Sequence, residues 1–261
     1  MKFAIYIPAY NAAATLPRVF ERIPADLRNQ AAEILVVDNC SKDDTSRVVQ
    51  SYQSRPEWKN LTLIRNEKNE GYGGSQKIGY THCISKGYDC VAMLHGDAQY
   101  APELLGSLLE PVMKGEADLV FGSRMRGDPL AGGMPLIRYL GNRFLTTFQN
   151  IFLGQWLSEY RSGYRVFSTA ALQKVPFLRC ASDYHFDTEI IILFIYSRLR
   201  IAERPIPTHY GDEKNYVNIW KYGTDVLVTT LSYWLHKIGL RRSRNWSRIL
   251  TSDASLRSKA M

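Results

Sequence analysis

The 261 residues predict an α/β fold with a mostly parallel central sheet flanked by helices, and three observations carry that prediction. Short apolar runs alternate with longer runs of helical or mixed spacing, which implies right-handed βαβ units. The apolar runs are bounded by Gly and turn residues, as strands buried inside a parallel sheet are. Each of the first five runs ends in a polar segment, and in such sheets ligands bind beyond the carboxyl ends of the strands.

In chain order, the expected strands are Phe3 to Pro8, Glu33 to Val37, Leu61 to Arg65, Cys90 to Leu94 and Asp118 to Phe121. Between them lie the helix candidates Thr15 to Asn29, Asp43 to Ser54, Gly74 to Ser85 and Pro102 to Lys114. The polar segments are Pro8-Ala-Tyr10-Asn11, Asp38-Asn-Cys-Ser41, Asn66 to Gly74, His95-Gly-Asp97 and Gly122-Ser-Arg124. Ser41 and Asp44 have the spacing of a capping box, which reads Ser41 as a helix cap. Gly71, Gly73 and Gly74 serve either a tight turn or a close backbone approach to a phosphate. His95, Asp97 and Gln99 alternate along a stretch expected to be extended. Alternation sets their side chains on one side, where oxygens of Asp97 and Gln99 can hold a divalent cation. A polar loop with a surface Asp is the alternative. Pro102 and Glu103 then suit a helix start.

After a Gly- and Pro-rich loop, Arg126 to Pro135, comes a long helix candidate, Leu136 to Trp156. Arg138 and Asn142 are i, i+4 neighbours, so with Arg124 they can grip one phosphate; a merely exposed helix face is the alternative. Leu140, Phe144, Phe148 and Phe152 provide either core or an interfacial membrane surface. The segment Glu159 to Phe167 reads as a turn entering a strand. Asp187 and Glu189 open an apolar helix, Ile190 to Tyr196, as dipole partners or as a general base. Arg204 to Pro207 resembles an edge strand, and a polar loop, His209 to Lys214, precedes the last helix candidate, Ile219 to Ile238.

The net charge of +8 is concentrated at one end: His236 to Met261 holds seven basic residues and one acid. The body is near neutral, and the tail, with Trp246 in it, would meet a polyanion such as anionic lipid. The four cysteines form no C-x-x-C pair, which fits a reducing compartment and gives no support for structural zinc. The first apolar run is too short for a signal peptide, and no run reaches the ~18 apolar residues of a spanning helix. The expected organisation is one large α/β domain, 1–215, followed by an amphipathic helix and basic tail, 216–261, suited to contact with a membrane surface.

Together these segments resemble the inverting family 2 glycosyltransferases of the Rossmann-like GT-A fold, most closely the dolichol-phosphate mannose synthase and polyprenyl-phosphate glycosyltransferase branch. The resemblance rests on Pro8 to Asn11, Val36 to Ser41, Asn66 to Gly74, His95 to Gln99 with Pro102-Glu103, Gly122 to Arg124, Arg138, Ser162 to Arg165 and Tyr210-Gly211. It implies a nucleotide-sugar donor (UDP- or GDP-sugar) bound by Pro8, Tyr10, Asn11, Asp38, Gly73, Asp97 and His209. It implies Mg2+ or Mn2+ on Asp97 and Gln99, a lipid phosphate acceptor on Arg124, Arg138 and Asn142, and catalytic roles for Asp97 and Arg124. Two positions depart from the pattern: His95 stands where the metal motif usually starts with an acid, and His209 where that branch often has Arg.

The expected reaction is metal-dependent transfer of a sugar to a polyprenyl phosphate by a cytoplasmic protein held peripherally at the membrane. A phosphate nucleophile is already anionic and requires no general base, whereas a hydroxyl acceptor requires one. The rivals are transfer to a hydroxyl in glycan synthesis and a sugar-1-phosphate nucleotidyltransferase, which would carry a Gly-rich loop with Lys or Arg after the first strand. No nucleic-acid partner is expected, since a tail-driven binder leaves the five strand-end segments unexplained.

Overall fold

The computed structural model describes residues 1–207 and 219–250, with side chains from Tyr222 onward in the second stretch. The strands are β1 (Phe3–Ala9), β2 (Glu33–Asp38), β3 (Leu61–Arg65), β4 (Cys90–Met93), β5 (Leu119–Ser123), β6 (Arg165–Ser168) and β7 (Ile201–Pro205). The helices are α1 (Leu16–Arg22), α2 (Ala25–Gln30), α3 (Thr45–Gln53), α4 (Tyr72–Ser85), α5 (Leu105–Met113), α6 (Leu136–Leu153), α7 (Thr169–Leu172), α8 (Phe186–Tyr196), α9 (Ile219–Lys237) and α10 (Arg244–Leu250).

The strands form one sheet in the order β3-β2-β1-β4-β6-β5-β7. β6 runs antiparallel between β4 and β5, and every other pairing is parallel. β1 through β5 therefore point the same way, and their carboxyl ends share one edge. Alternate residues of each strand feed opposite faces, as the period of two requires. Ile5, Ile7, Ile34, Val36, Ala92 and Val120 join one apolar layer; Tyr6, Leu35, Val37, Met93, Leu119 and Phe121 join the other.

Several local expectations change. The segment expected as one helix from Thr15 to Asn29 is α1 and α2, because Ile23 before Pro24 takes an extended backbone (ψ 121°). Ser41 does not cap α3, which starts at Thr45 behind Asp44; its hydroxyl accepts the Asn11 N–H at 2.9 Å instead. The edge strand is β7, a few residues earlier than expected, and it does lie at the sheet's edge.

The last helices are packed into the body. α9 lies against α6, α8 and α10, and Tyr233, Trp246 and Ile249 complete the second apolar layer. Trp246, expected in a basic tail that would meet a polyanion, is buried against the body instead. The far end of that tail, including Arg257 and Lys259, lies outside the described residues.

Candidate active site

The strand-end segments are tied to one another by hydrogen bonds. The Asn39 N–H donates to the Ala9 carbonyl, and the Asn66 N–H to the Asp38 carbonyl, each at 2.9 Å. Asn39 Oδ1 accepts Asn66 Nδ2 and the Glu70 N–H, while Asn39 Nδ2 donates to Asn69 Oδ1 and the Gly71 carbonyl. One buried amide thus joins the ends of β2 and β3 to the turn that enters α4. Asn11, Cys40 and Ala98 sit at positive φ (50°, 63° and 62°), so three strand exits turn through the left-handed region on non-glycine residues. Such conformations cost about 1–3 kcal/mol each and persist where surrounding contacts fix them.

The donor-binding candidates divide by exposure. Tyr10 and Asn11 are open to solvent, and Asn11 is fixed by its Oδ1, which accepts the Lys42 N–H at 2.8 Å. Asp38 is fully buried; its carboxylate accepts the Ser41 N–H at 2.8 Å and the Ser46 hydroxyl. Pro8 lies near the end of β1, where its carbonyl accepts the Gly96 N–H. Gly73 faces the 181–186 segment rather than open space, since an added Cβ would lie 2.5 Å from Phe186 Cβ. His209 and the Tyr210-Gly211 loop lie outside the described residues.

After β4 the chain turns sooner than expected. His95, Asp97 and Gln99 do not alternate along an extended stretch: the backbone turns at Asp97-Ala98, and Ala98 takes φ 62°. Asp97 Oδ1 accepts the Gln99 N–H at 3.0 Å, closing the turn. An Asx turn of this kind is cheap for Asp and was not visible in the alternation of polar residues. The Asp97 side chain is 44% exposed, with His95 Nδ1 3.9 Å from its Oδ2. Burial pushes its carboxyl up, but hydrogen bonding and charge from His95 and the Gln99 N–H prevail and hold it below the usual range.

Among the described residues no three His, Cys, Asp or Glu converge as a metal cage. An exposed, ionised carboxylate with a neutral amide two residues on fits a hard cation that draws its other oxygens from a substrate diphosphate and water, as Mg2+ commonly does. Asp97 and Gln99 are the side chains that would hold it.

His95 sits in a tight frame. Its ring meets those of Tyr72 and Tyr100 edge-on, and a Cβ on Gly163 would lie 2.5 Å from its Nε2. Tyr72, stacked against Tyr184 at 5.0 Å, donates its hydroxyl to Asp187 at 3.1 Å. Asp187 also accepts from Arg165 at 2.8 Å and Gln76 at 3.1 Å. Glu189, the other acid considered as a base, is turned to structure: it accepts the Ala181 N–H at 2.6 Å and Asn245 Nδ2 at 3.0 Å.

At the exit of β5, Arg124 and Asn142, expected with Arg138 to grip one phosphate, come together. They meet on a carboxylate. Glu159, fully buried, accepts the Arg124 N–H at 2.9 Å, Arg124 Nε and Nη2, and Asn142 Nδ2 at 3.1 Å. Arg138 lies one turn earlier on α6 and is half-buried. Glu159 and Tyr72 carried no role in the sequence reading, and Arg165 entered it only as part of a motif. A single acid inside a run with two arginines, Glu159-Tyr-Arg161-Ser-Gly-Tyr-Arg165, was the available sign of the first.

The sheet thus brings an acid at the end of its fourth strand and an arginine at the end of its fifth to one edge. The chain belongs to glycosyl transferase family 2, whose family model matches residues 4–175. It is similar to the UDP-N-acetylglucosamine–dolichyl-phosphate N-acetylglucosaminyltransferase of Methanococcus voltae, 27% identical over 219 residues that cover 80% of this chain and 86% of the relative. It is also similar to the polyprenol monophosphomannose synthase of Mycolicibacterium smegmatis, 27% identical over 203 residues, 77% of this chain and 75% of that one. Among solved structures it resembles the glucosyl-3-phosphoglycerate synthase of Mycobacterium tuberculosis in complex with Mn2+, UDP-glucose and phosphoglyceric acid. That match has a TM-score of 0.62 at 21% identity and covers 93% of this chain and 81% of the other. At that identity the likeness establishes the GT-A fold alone.

Proposed function

We propose that this glycosyltransferase moves a sugar from a UDP- or GDP-sugar to a polyprenyl phosphate, dolichyl or undecaprenyl, at the cytoplasmic face of a membrane. The observation that carries the reading is a juxtaposition on α6. Arg138 and Asn142 share this helix with an outward stripe of Ile137, Leu140, Phe144 and Ile151, of which Ile137 is 76% and Ile151 71% exposed. A cation beside uncovered hydrocarbon suits an acceptor that is itself a phosphate on an isoprenoid chain. The two relatives named for dolichyl-phosphate and polyprenol acceptors support the same class.

The chemistry agrees. The acceptor phosphate oxygen forms the new bond to the anomeric carbon as the bond to the diphosphate breaks, and the nucleoside diphosphate departs. Arg124 and Arg138 orient the attacking phosphate. No base is required of the chain, and Asp187, one of the two acids considered for that role, already accepts from Arg165, Gln76 and Tyr72. Asp97 and Gln99 would hold a divalent cation, which would supply neutralisation of the charge growing on the leaving diphosphate. The Mn2+ and UDP-glucose held together by the structural neighbour support a metal of that kind.

A membrane surface is the expected partner. No helix among the described residues is long and apolar enough to cross a bilayer. The α6 stripe, flanked by Arg138 and exposed Arg143, suits a helix lying at an anionic interface. α9, expected to make this contact, buries Val226 and Tyr233, and among its described apolar side chains Val228 is the most exposed, at 66%. Incubation with labelled UDP- and GDP-sugars, Mg2+ or Mn2+, and undecaprenyl or dolichyl phosphate tests the reading. Labelled lipid product is expected; product formed only with a hydroxyl acceptor would overturn it.

A further inference from the structure

Glu159 presents a problem that the reaction alone does not solve. It is a fully buried carboxylate, and burying a charge costs several kcal/mol before any partner repays it, so that well-packed apolar side chains often serve stability as well or better. Its partners show where the charge is used. The same carboxylate receives the backbone N–H of Arg124 at 2.9 Å and the guanidinium through Nε at 3.1 Å and through Nη2. Both ends of the Arg124 side chain are therefore referred to one rigid group, and the plane of the guanidinium is set.

The carboxylate also reaches the acceptor helix. Arg161 Nη1 donates to Asn142 Oδ1 at 2.7 Å, and Thr146 Oγ1 donates to the same oxygen at 3.1 Å. These contacts assign the amide orientation and direct Asn142 Nδ2 to Glu159 Oε1 at 3.1 Å. A donor and acceptor chain thus runs from Arg161 through Asn142 and Glu159 to Arg124. It cross-links the exit of β5 to α6, the two elements that carry Arg124 and Arg138. Next to it Ser158 bonds both Ser123 and Glu203, so the turn 158–159 holds the β5 exit by two adjacent residues.

We propose that Glu159 is a positioning residue for the acceptor phosphate, acting through Arg124 without touching substrate, while Asn142 anchors its carboxylate to α6. This rests on the reading above that Arg124 receives that phosphate. Burial pushes the Glu159 carboxyl up, yet the charge and hydrogen bonds of Arg124 and the amide of Asn142 more than offset it, so the group stays anionic and Arg124 stays held.

The test is steady-state kinetics with undecaprenyl phosphate and a labelled nucleotide-sugar, on wild type, Glu159→Gln, Arg124→Gln and the double variant. Glu159→Gln is expected to raise the acceptor KM by about 10–100-fold, by analogy with residues that orient the ligands of a bound metal. The donor KM and the slow transfer to water should stay within about twofold, a split that general loosening of the fold would not give. In the Arg124→Gln background, adding Glu159→Gln should raise the acceptor KM no further, because its route of action is gone. A wild-type chain that uses no polyprenyl phosphate defeats the acceptor reading. A wild type that does, with acceptor KM unchanged in Glu159→Gln, defeats the positioning role alone. Should Glu159→Gln fail to fold, the neutral double variant against Arg124→Gln decides: equal acceptor KM supports the proposal, and a further loss overturns it.

Discussion

The Nε2 of His95 lies 3.3 Å from the hydroxyl of Tyr72, whose hydrogen is given to Asp187 Oδ2 at 3.1 Å. A phenol has one proton to donate. With that proton spent on Asp187, Nε2 must be the donor toward Tyr72, which leaves Nδ1 facing Asp97. The buried Arg165–Asp187 pair therefore sets the orientation of the histidine beside the candidate metal ligand, across a chain separation of 115 residues from Tyr72 to Asp187.

Crowding should expose that dependence. A Cβ at Gly163 would lie 2.5 Å from His95 Nε2 and 2.6 Å from Cε1, too close unless the ring moves. We expect Gly163→Ala to cost about 1–3 kcal/mol of stability and to lower kcat by roughly tenfold or more, since small misplacements of catalytic groups are amplified in rate. Thermal unfolding and initial rates measure both. An unchanged kcat would mean that His95 only fills the turn.

Asp97→Ala should separate chemistry from folding. The side chain accepts the Gln99 N–H, a bond worth about 0.5–1.5 kcal/mol, and faces His95 at 3.9 Å. The variant is expected to remain folded by circular dichroism and to lose metal-dependent transfer. Retained turnover at saturating Mg2+ or Mn2+ would remove Asp97 from the centre of the site.

Acid should weaken the chain through Glu159. Its folded-state pKa is below the ordinary value, so the folded chain takes the proton less readily than the unfolded one. The stabilisation is then complete above the unfolded value of about 4.3 and is lost as pH falls through the lower folded value. A Tm that declines below about pH 4 is expected for wild type, with a flatter profile for Glu159→Gln. Parallel profiles would show that the carboxylate's ionisation is not felt by the fold.

The α6 stripe makes a prediction about surfaces. Replacing Ile137, Phe144 and Ile151 by Ser removes exposed apolar area without touching Arg138 or the buried Asn142. Co-sedimentation with vesicles containing anionic lipid should fall by about tenfold, given ~25 cal/mol per Å² of apolar surface, while the Tm stays within a few degrees. Equal sedimentation of the triple variant would assign membrane contact to another surface.

The sequence carried the alternation of apolar and helical runs, and with it the parallel sheet, because burial on both faces writes itself locally into residue type. It also carried the polar strand ends, since β1 to β5 must finish at one edge once they run parallel. The antiparallel β6 between β4 and β5 was not legible, because a short apolar strand looks the same in either direction. The turn through Ala98 escaped for a different reason: polar alternation is compatible with an extended chain, and only the Asp97 to Gln99 hydrogen bond selects the turn.

The stretch His95 to Gln99 and the pair Arg124 and Arg138 could be named from the sequence as candidates, whereas the residues they meet could not. Glu159 is 35 residues from Arg124, and Asp187 is 22 from Arg165 and 115 from Tyr72. Whether an acid in a polar run becomes a base, a helix cap or the buried counterion of a distant arginine depends on which loops the sheet brings together. Residue type fixed the charges available; tertiary packing decided which of them meet, because a charge taken out of water persists only where the fold supplies its partner.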